Sequence, residues 1–254
     1  MVDVRNFFKE ISRSPGRFYI VHYSSQGLYD DRVGGLSPRI TSIVVMHYET
    51  KQTMSFALHA VAEYLHISKE ELDSNIDKIE KEILERFYEF VRDRREKYWV
   101  HWNMKNITYG FEHLALRYHK LSGAEPPHIP VEVRLDLNDV LKERHGSDFV
   151  ERPRMKNLML LQGPLDGRFL EGAQEADCFA KQEFIRMHNS TISKVEFFRH
   201  VIDMSIKGKL RTAGRGIAQR IDRLLESRSS RVCAFFGTLL GILVGIYQFV
   251  LWLR

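Results

Sequence analysis

The chain has 254 residues, enough for one sizeable domain and an attachment, and its 44% hydrophobic and 28% charged content excludes general disorder. Two cysteines far apart, Cys178 and Cys233, exclude a disulfide framework and a cysteine zinc site, as expected for a reducing compartment. The net charge of +5 is unevenly placed: residues 207–231 hold eight basic and two acidic side chains, so a globally basic nucleic-acid binder is not implied.

In chain order, residues 1–16 predict a short amphipathic helix closed by Pro15-Gly16, with mixed charges and broken apolar runs that do not suit a signal peptide. "RFYIVHY" (17–23), "ITSIVVMHYE" (40–49) and "KQTMSFAL" (51–58) are β-branched and aromatic and predict three strands, the last two as a hairpin. Residues 69–95 place Leu72, Ile76, Ile79, Ile83, Leu84, Phe87, Phe90 and Val91 at helical spacing beneath a charged face. "KYWVHWN" predicts a fourth strand, "TYGFEHLALRYHKLSG" a helix stopped by Gly123, and "VEVRLDL" (131–137) a fifth strand, with several helices after it. In "MHNSTISKVEFFRHVIDMSIKGKL", Asn189 or Ser190 suits an N-cap, and Ile192, Val195, Phe198, Val201, Ile202 and Ile206 form an apolar stripe.

Residues 207–231 predict a basic juxtamembrane linker helix with Ile217, Ile221, Leu224 and Leu225 on one face. Its Arg215, Arg220, Arg223, Arg228 and Arg231 are candidates for contact with anionic lipid headgroups. Residues 232–253, "VCAFFGTLLGILVGIYQFVLWL", carry no charge across 22 positions. At about 1.5 Å per residue they match a hydrocarbon core of roughly 30 Å, and a transmembrane helix is predicted there. The basic flank places residues 1–231 on the cytoplasmic side, so the expectation is a single-pass, tail-anchored protein of the inner (cytoplasmic) membrane. Gly237, Gly241 and Gly245 recur at four-residue spacing with Gln248 on nearly the same face, a pattern that favours close helix association in lipid and hence a homo-oligomer.

The order of three strands, helix, strand, helix, strand and helices is an α/β order. It resembles the ribonuclease-H-like fold and, within it, the DEDD 3'-5' exonuclease family, over roughly residues 17–206. Four stretches carry the likeness: "FYIVHYSSQGL" for the strand that bears Asp-x-Glu, the acidic helix "EKEILERFYEFVRD", "VHWN" with "YGFEHLALR" for the segment His-Asn followed by Phe-Asp-x-x-x-Leu-x-x-Arg, and "RLDLNDVLK" for the following strand. The resemblance implies a mixed sheet with flanking helices and four carboxylates holding two divalent metals. Carried over by position, the first Asp and Glu fall on His22 and Ser24, and the next Asp on Gly110. In the last motif His188 stands for the first member, and Lys194 or Glu196 lies near the Asp. Three of the four carboxylates are absent, and a His, a Ser and a Gly do not make an oxygen-rich ligand set. No metal or cofactor is therefore expected. The expected cleft is a degenerate one of His22, Ser24, Asn103, Gly110, His188, Asn189 and Lys194, in which Lys194 could hold a phosphate, nucleotide or nucleic acid without metal.

The architecture also resembles bacterial antiviral defence effectors with a single membrane helix. Together these readings lead to the expectation of a membrane-anchored pseudoenzyme, a sensor or effector whose exonuclease-like domain controls self-association of the membrane helix. The alternatives are a membrane-tethered nuclease or phosphodiesterase with a rearranged site, and a scaffold for a protein partner.

Overall fold

The computed structural model describes residues 3–27, 37–106 and 108–213. After a helical turn at Val4–Asn6, helix α1 (Phe7–Arg13) leads through Pro15-Gly16 into strands β1 (Phe18–Ser25), β2 (Ile40–His47) and β3 (Thr53–Ala57). Helix α2 (Leu58–Tyr64) follows at once, and α3 (Leu72–Arg92) crosses to β4 (Tyr98–His101). A two-residue hairpin, β5 (Lys105–Asn106) and β6 (Tyr109–Gly110), opens onto α4 (Phe111–Ser122). Strand β7 (Arg134–Asp136) and helices α5 (Leu137–His145), α6 (Arg154–Gln162), α7 (Gly172–Ala180) and α8 (Phe184–Ile206) complete the described order. The five-stranded mixed sheet runs β3-β2-β1-β4-β7. Strands β1, β2 and β3 pair antiparallel, while β4 is parallel to β1 and β7 to β4.

Both faces of the sheet are covered, and the two-residue period of the strands sorts their side chains. On β1, Val21 and Tyr23 join the cluster built with α3 and α4, while Phe18 and Ile20 join the cluster built with α1, α5 and α8. On β2, Ile43 and Val45 take the first face and Val44 and Met46 the second. Continuing the second face along β1 brings His22 and then Ser24 under α8, with Ser42 of β2 directly opposite Ser24.

Helix α3 buries the predicted stripe from Leu72 to Val91 and, on the same face, a charge: Glu80. Its carboxylate accepts Nε of Arg117 at 2.7 Å, pairs also with the Nη2 of Arg117, and accepts the backbone N–H of Ile40 at 2.9 Å. Nη1 of Arg117 reaches the Ser37 carbonyl at 3.3 Å. One buried ion pair thus fixes α3, α4 and the entrance to β2, which gives Arg117 a structural reason to stand three residues after the core residue Leu114.

The structure differs from the sequence expectation in local ways. Helix α2 was not foreseen, because its apolar pattern of Leu58, Val61 and Ala62 spans only two turns. The 131–137 stretch spends Val131–Val133 on a helical turn before pairing. Helix α8 starts at Phe184, so Asn189 and Ser190 lie inside it and neither is its N-cap. Residues 207–213 do not continue α8 as a linker helix: Gly208, at φ 67°, reverses the chain, and Leu210 returns to the core with no exposed surface. The expected membrane segment 232–253 lies outside the described residues; among those described, no helix is long and apolar enough to cross a membrane.

Arg117→Ala should cost about 3–5 kcal/mol in urea unfolding, since it leaves Glu80 buried without its partner. Arg39→Ala, which removes a solvent-facing pair with Asp77, should cost under about 1 kcal/mol. Equal small losses for both variants would contradict the role given to Arg117.

Candidate functional site

The residues singled out by sequence divide into three groups. His22, Ser24, His188 and Lys194 meet in one layer between α8 and the β1–β2 face. His22 is 4% exposed, Ser24 1% and Lys194 6%, while His188 is half-buried at the rim, so this layer is an interior except at its His188 end.

Its construction follows from matched polarity. The C-terminal half of α8 presents Val195, Phe198, Val201 and Ile202 to the apolar ends of the strands. The N-terminal half presents His188 and Thr191 to their polar ends, and Ser190 and Lys194 to Glu175 of α7. Ser24 Oγ lies 3.0 Å from Thr41 Oγ1 and 3.0 Å from Thr191 Oγ1. Ser42 Oγ lies 2.7 Å from His188 Nδ1. His188 also faces His59 of α2, with ring centroids 5.2 Å apart. Each hydroxyl thereby has a neighbour that offsets its loss of water.

Lys194 is not an unclaimed cation. Its Nζ donates to Glu175 of α7 at 2.6 Å and lies 5.4 Å from the ring centre of Phe169. Ser190 Oγ donates to the same carboxylate at 3.2 Å and accepts the Leu170 N–H at 3.0 Å. An anionic ligand at Lys194 would have to displace Glu175 from a nearly buried pair. The expected phosphate-binding role of Lys194 therefore has no support in this arrangement. Sequence spacing presents Glu175 as a loop or helix-surface charge; its partner is 19 positions away, beyond the reach of any local pattern.

Gly110 lies at the edge of the layer. Its N–H donates to the Tyr23 hydroxyl at 2.8 Å, and Tyr109 stacks on Tyr23 with ring centroids 4.5 Å apart. The Tyr109 hydroxyl donates to the Tyr23 carbonyl at 3.0 Å and lies 3.3 Å from His22 Nε2. Two tyrosines thus occupy the surroundings of His22 and Gly110. Asn103 stands apart at the carboxyl end of β4, where its N–H donates to Asp136 at 3.2 Å and its side-chain oxygen accepts from Asn138 at 2.9 Å. Asn189 is a half-buried position on α8. Gly237, Gly241, Gly245, Gln248, Arg215, Arg220, Arg223, Arg228 and Arg231 lie outside the described residues.

Among the described residues no group of three or more His, Cys, Asp or Glu side chains is placed to hold a metal ion. An open cavity of about 300 Å³ sits elsewhere, lined by Gln162, Asp166, Ser193, Glu196, Phe197 and His200 among others. Both of its carboxylates are taken by Arg168, which leaves no unengaged acid there for general acid–base work. A second cavity, of about 320 Å³, is walled by Tyr19, His47, Met54, Phe90 and Arg94. Of the residues carried over from the resemblance, only Glu196 lines one of them, and His22, Ser24, Gly110, His188 and Lys194 line neither.

Burial sets the electrostatics. His22 is held well below the ordinary histidine value, by desolvation first and then by Lys194 and His101. Desolvation brings His101, His113 and His188 down to about 4, with His59 adding to the effect at His188. These imidazoles fold in their neutral form. Because their folded values lie below the unfolded value near 6.5, the stability they contribute is present above that pH and is lost as pH falls toward 4. For His101 alone the limit is roughly 3 kcal/mol. The unfolding midpoint should therefore fall between pH 6.5 and 5, above the carboxylate range, and His101→Gln should flatten that slope. A midpoint independent of pH across this interval would contradict the assignment.

Comparison with protein-family models, with curated proteins and with solved structures gave no match, so no family stands beside this geometry.

Proposed function

We propose that the chain is a membrane-anchored, non-catalytic sensor or effector, in which a ribonuclease-H-like, exonuclease-like domain controls self-association of the apolar segment 232–253. One observation carries the reading. The positions that the resemblance assigns to metal-binding carboxylates are His22, Ser24 and Gly110; the first two lie in the packed, hydrogen-bonded layer beneath α8, and Gly110, at its edge, is hydrogen-bonded to Tyr23. Hydrolysis of a phosphodiester needs charge stabilisation and an activated water at an accessible centre, and this layer offers neither.

The fold assignment draws support from the sheet: three antiparallel strands followed by two parallel ones, in the order β3-β2-β1-β4-β7, with helices in both crossovers. The membrane assignment draws on the uncharged 22-residue stretch, its glycines at 237, 241 and 245, and the basic residues before it. Cytoplasmic placement of the domain and a role in antiviral membrane disruption are parts of the same proposal, the latter resting on likeness of architecture alone.

Expression of the full chain in a bacterial cell should depolarise the inner membrane, and Gly241→Leu should abolish this at equal protein level. Depolarisation unchanged in that variant would remove the glycine face from the account. The full chain in detergent, given Mg²⁺ or Mn²⁺, should leave DNA, RNA and small nucleotides intact. Cleavage that survives repeated purification would favour a tethered nuclease instead, and a stoichiometric co-purifying protein without depolarisation would favour a scaffold.

A further inference from the structure

The chain does not leave the domain as a loose tether. After α8, Lys209 and Leu210 both donate their N–H to the Met204 carbonyl, at 2.8 and 3.1 Å, which closes the reversal at Gly208. Leu210 is fully buried in the cluster that contains Phe198, Val201 and Ile202. Gln162, the last residue of α6, then grips Arg211 from both sides. Its Nε2 donates to the Arg211 carbonyl at 2.8 Å, and its Oε1 accepts the Arg211 N–H at 3.0 Å. Two residues on, the Ala213 N–H donates to the Phe149 carbonyl at 2.8 Å. Four kinds of contact within seven residues make 207–213 part of the domain surface.

What this segment displays is charge. Lys207, Lys209 and Arg211 are exposed, while the residues that anchor them, Leu210 and the backbone at 211 and 213, face inward. Beside them, exposed Arg152 and half-buried Arg154 extend the same surface. The Arg154 guanidinium sits over Phe149, the residue that receives Ala213, and donates to the Ser147 carbonyl at 3.0 Å. Five cations therefore lie on the two segments that the Ala213–Phe149 hydrogen bond joins, against the exposed acids Asp148 and Glu151.

We propose that this cationic collar is a docking surface for an anionic lipid bilayer, seating the C-terminal end of α8 against the headgroups. This inference deepens the membrane-anchored reading and rests on it for the choice of a bilayer over other polyanions. Two features of the chain point to that occupant. The collar lies on the last described residues, and only residues 214–231 separate them in sequence from the uncharged stretch 232–253. Those residues hold five more arginines, so the basic character of the collar continues toward that stretch. Tethering raises the effective concentration of the collar at the surface, so individually weak attractions to anionic headgroups suffice. The clamp at Gln162 matters because it fixes the cations relative to the domain. A bilayer that holds the collar thereby holds α8 and the sheet in one orientation.

The test is lysine acylation of the full chain reconstituted in phosphatidylcholine bilayers, with and without phosphatidylglycerol. Lys69 is the internal reference, since the hydrogen bond from Gln182 to Asp73 places its neighbourhood at the opposite end of α8. Lys207 and Lys209 should be acylated several-fold more slowly in the anionic bilayer, with Lys69 unchanged. Arg152→Glu should reduce the protection, and Gln162→Ala should reduce it without lowering the unfolding midpoint appreciably. Equal rates in the two bilayers would overturn the collar even where the chain is retained on both, which leaves the membrane anchor standing. Protection that depends on phosphatidylglycerol when phosphatidylcholine alone fails to retain the chain would uphold the collar and count against the apolar anchor. Stronger protection by duplex DNA than by the anionic bilayer would overturn the assignment to lipid.

Discussion

The arrangement depends on one constraint, the agreement in polarity between α8 and the strands beneath it. A helix that is apolar in its second half and rich in hydroxyl, imidazole and ammonium groups in its first half can lie flat only on a surface graded in the same way. Strands β1 and β2 supply that surface, running from Phe18 and Ile20 to His22 and Ser24, and from Met46 and Val44 to Ser42. Buried polar groups are costly when unpaired, so the layer holds only because Ser24, Thr41, Thr191, Ser42, His188, Lys194 and Glu175 find one another. A slip of α8 along the sheet would set Lys194 among apolar residues and strand Glu175.

This packing does not suit a metal centre. A metal centre between a helix and a sheet must stay hydrated and open, because divalent ions need oxygen ligands and substrate needs access. Here hydroxyls and neutral imidazoles line the interface, no charge holds the space wet, and helix and sheet close on each other. Tyr109, stacked on Tyr23, lies beside His22 at the edge of this layer. In this structure the layer contributes stability and fixes the orientation of α8 on the sheet.

Much of the fold was legible in the sequence for local reasons. The stripe of α3 declares itself through eight apolar positions at helical spacing, and β1 and β2 through β-branched and aromatic runs. Gly123 ends α4 with φ 72°, as its position after a helical run suggests. The candidate site was legible only as an absence, through the positions of His22, Ser24 and Gly110. Its real content was hidden because its pairings are non-local, such as Lys194 with Glu175 and Thr191 with Ser24; the same holds elsewhere for Arg117 with Glu80 and for Gln162 with Arg211 across 49 positions. Asn103 stands apart from this layer for a related reason. Its neighbourhood in sequence matches the resemblance, yet its hydrogen bonds go to Asp136 and Asn138 at the far side of β4.

Residues 207–213 link this packed layer to the rest of the chain, since they belong to the domain and not to a tether. The central claim is that the layer beneath α8 is closed and takes no ligand. Its most direct test is the rate of thiol labelling at Ser24→Cys, in a background with Cys178 and Cys233 replaced. The expected result is labelling as slow as global unfolding, with no change on adding Mg²⁺, Mn²⁺, nucleotides or nucleic acid. Rapid labelling, or labelling blocked by one of these additions, would mean an open and occupied cleft and would contradict the account.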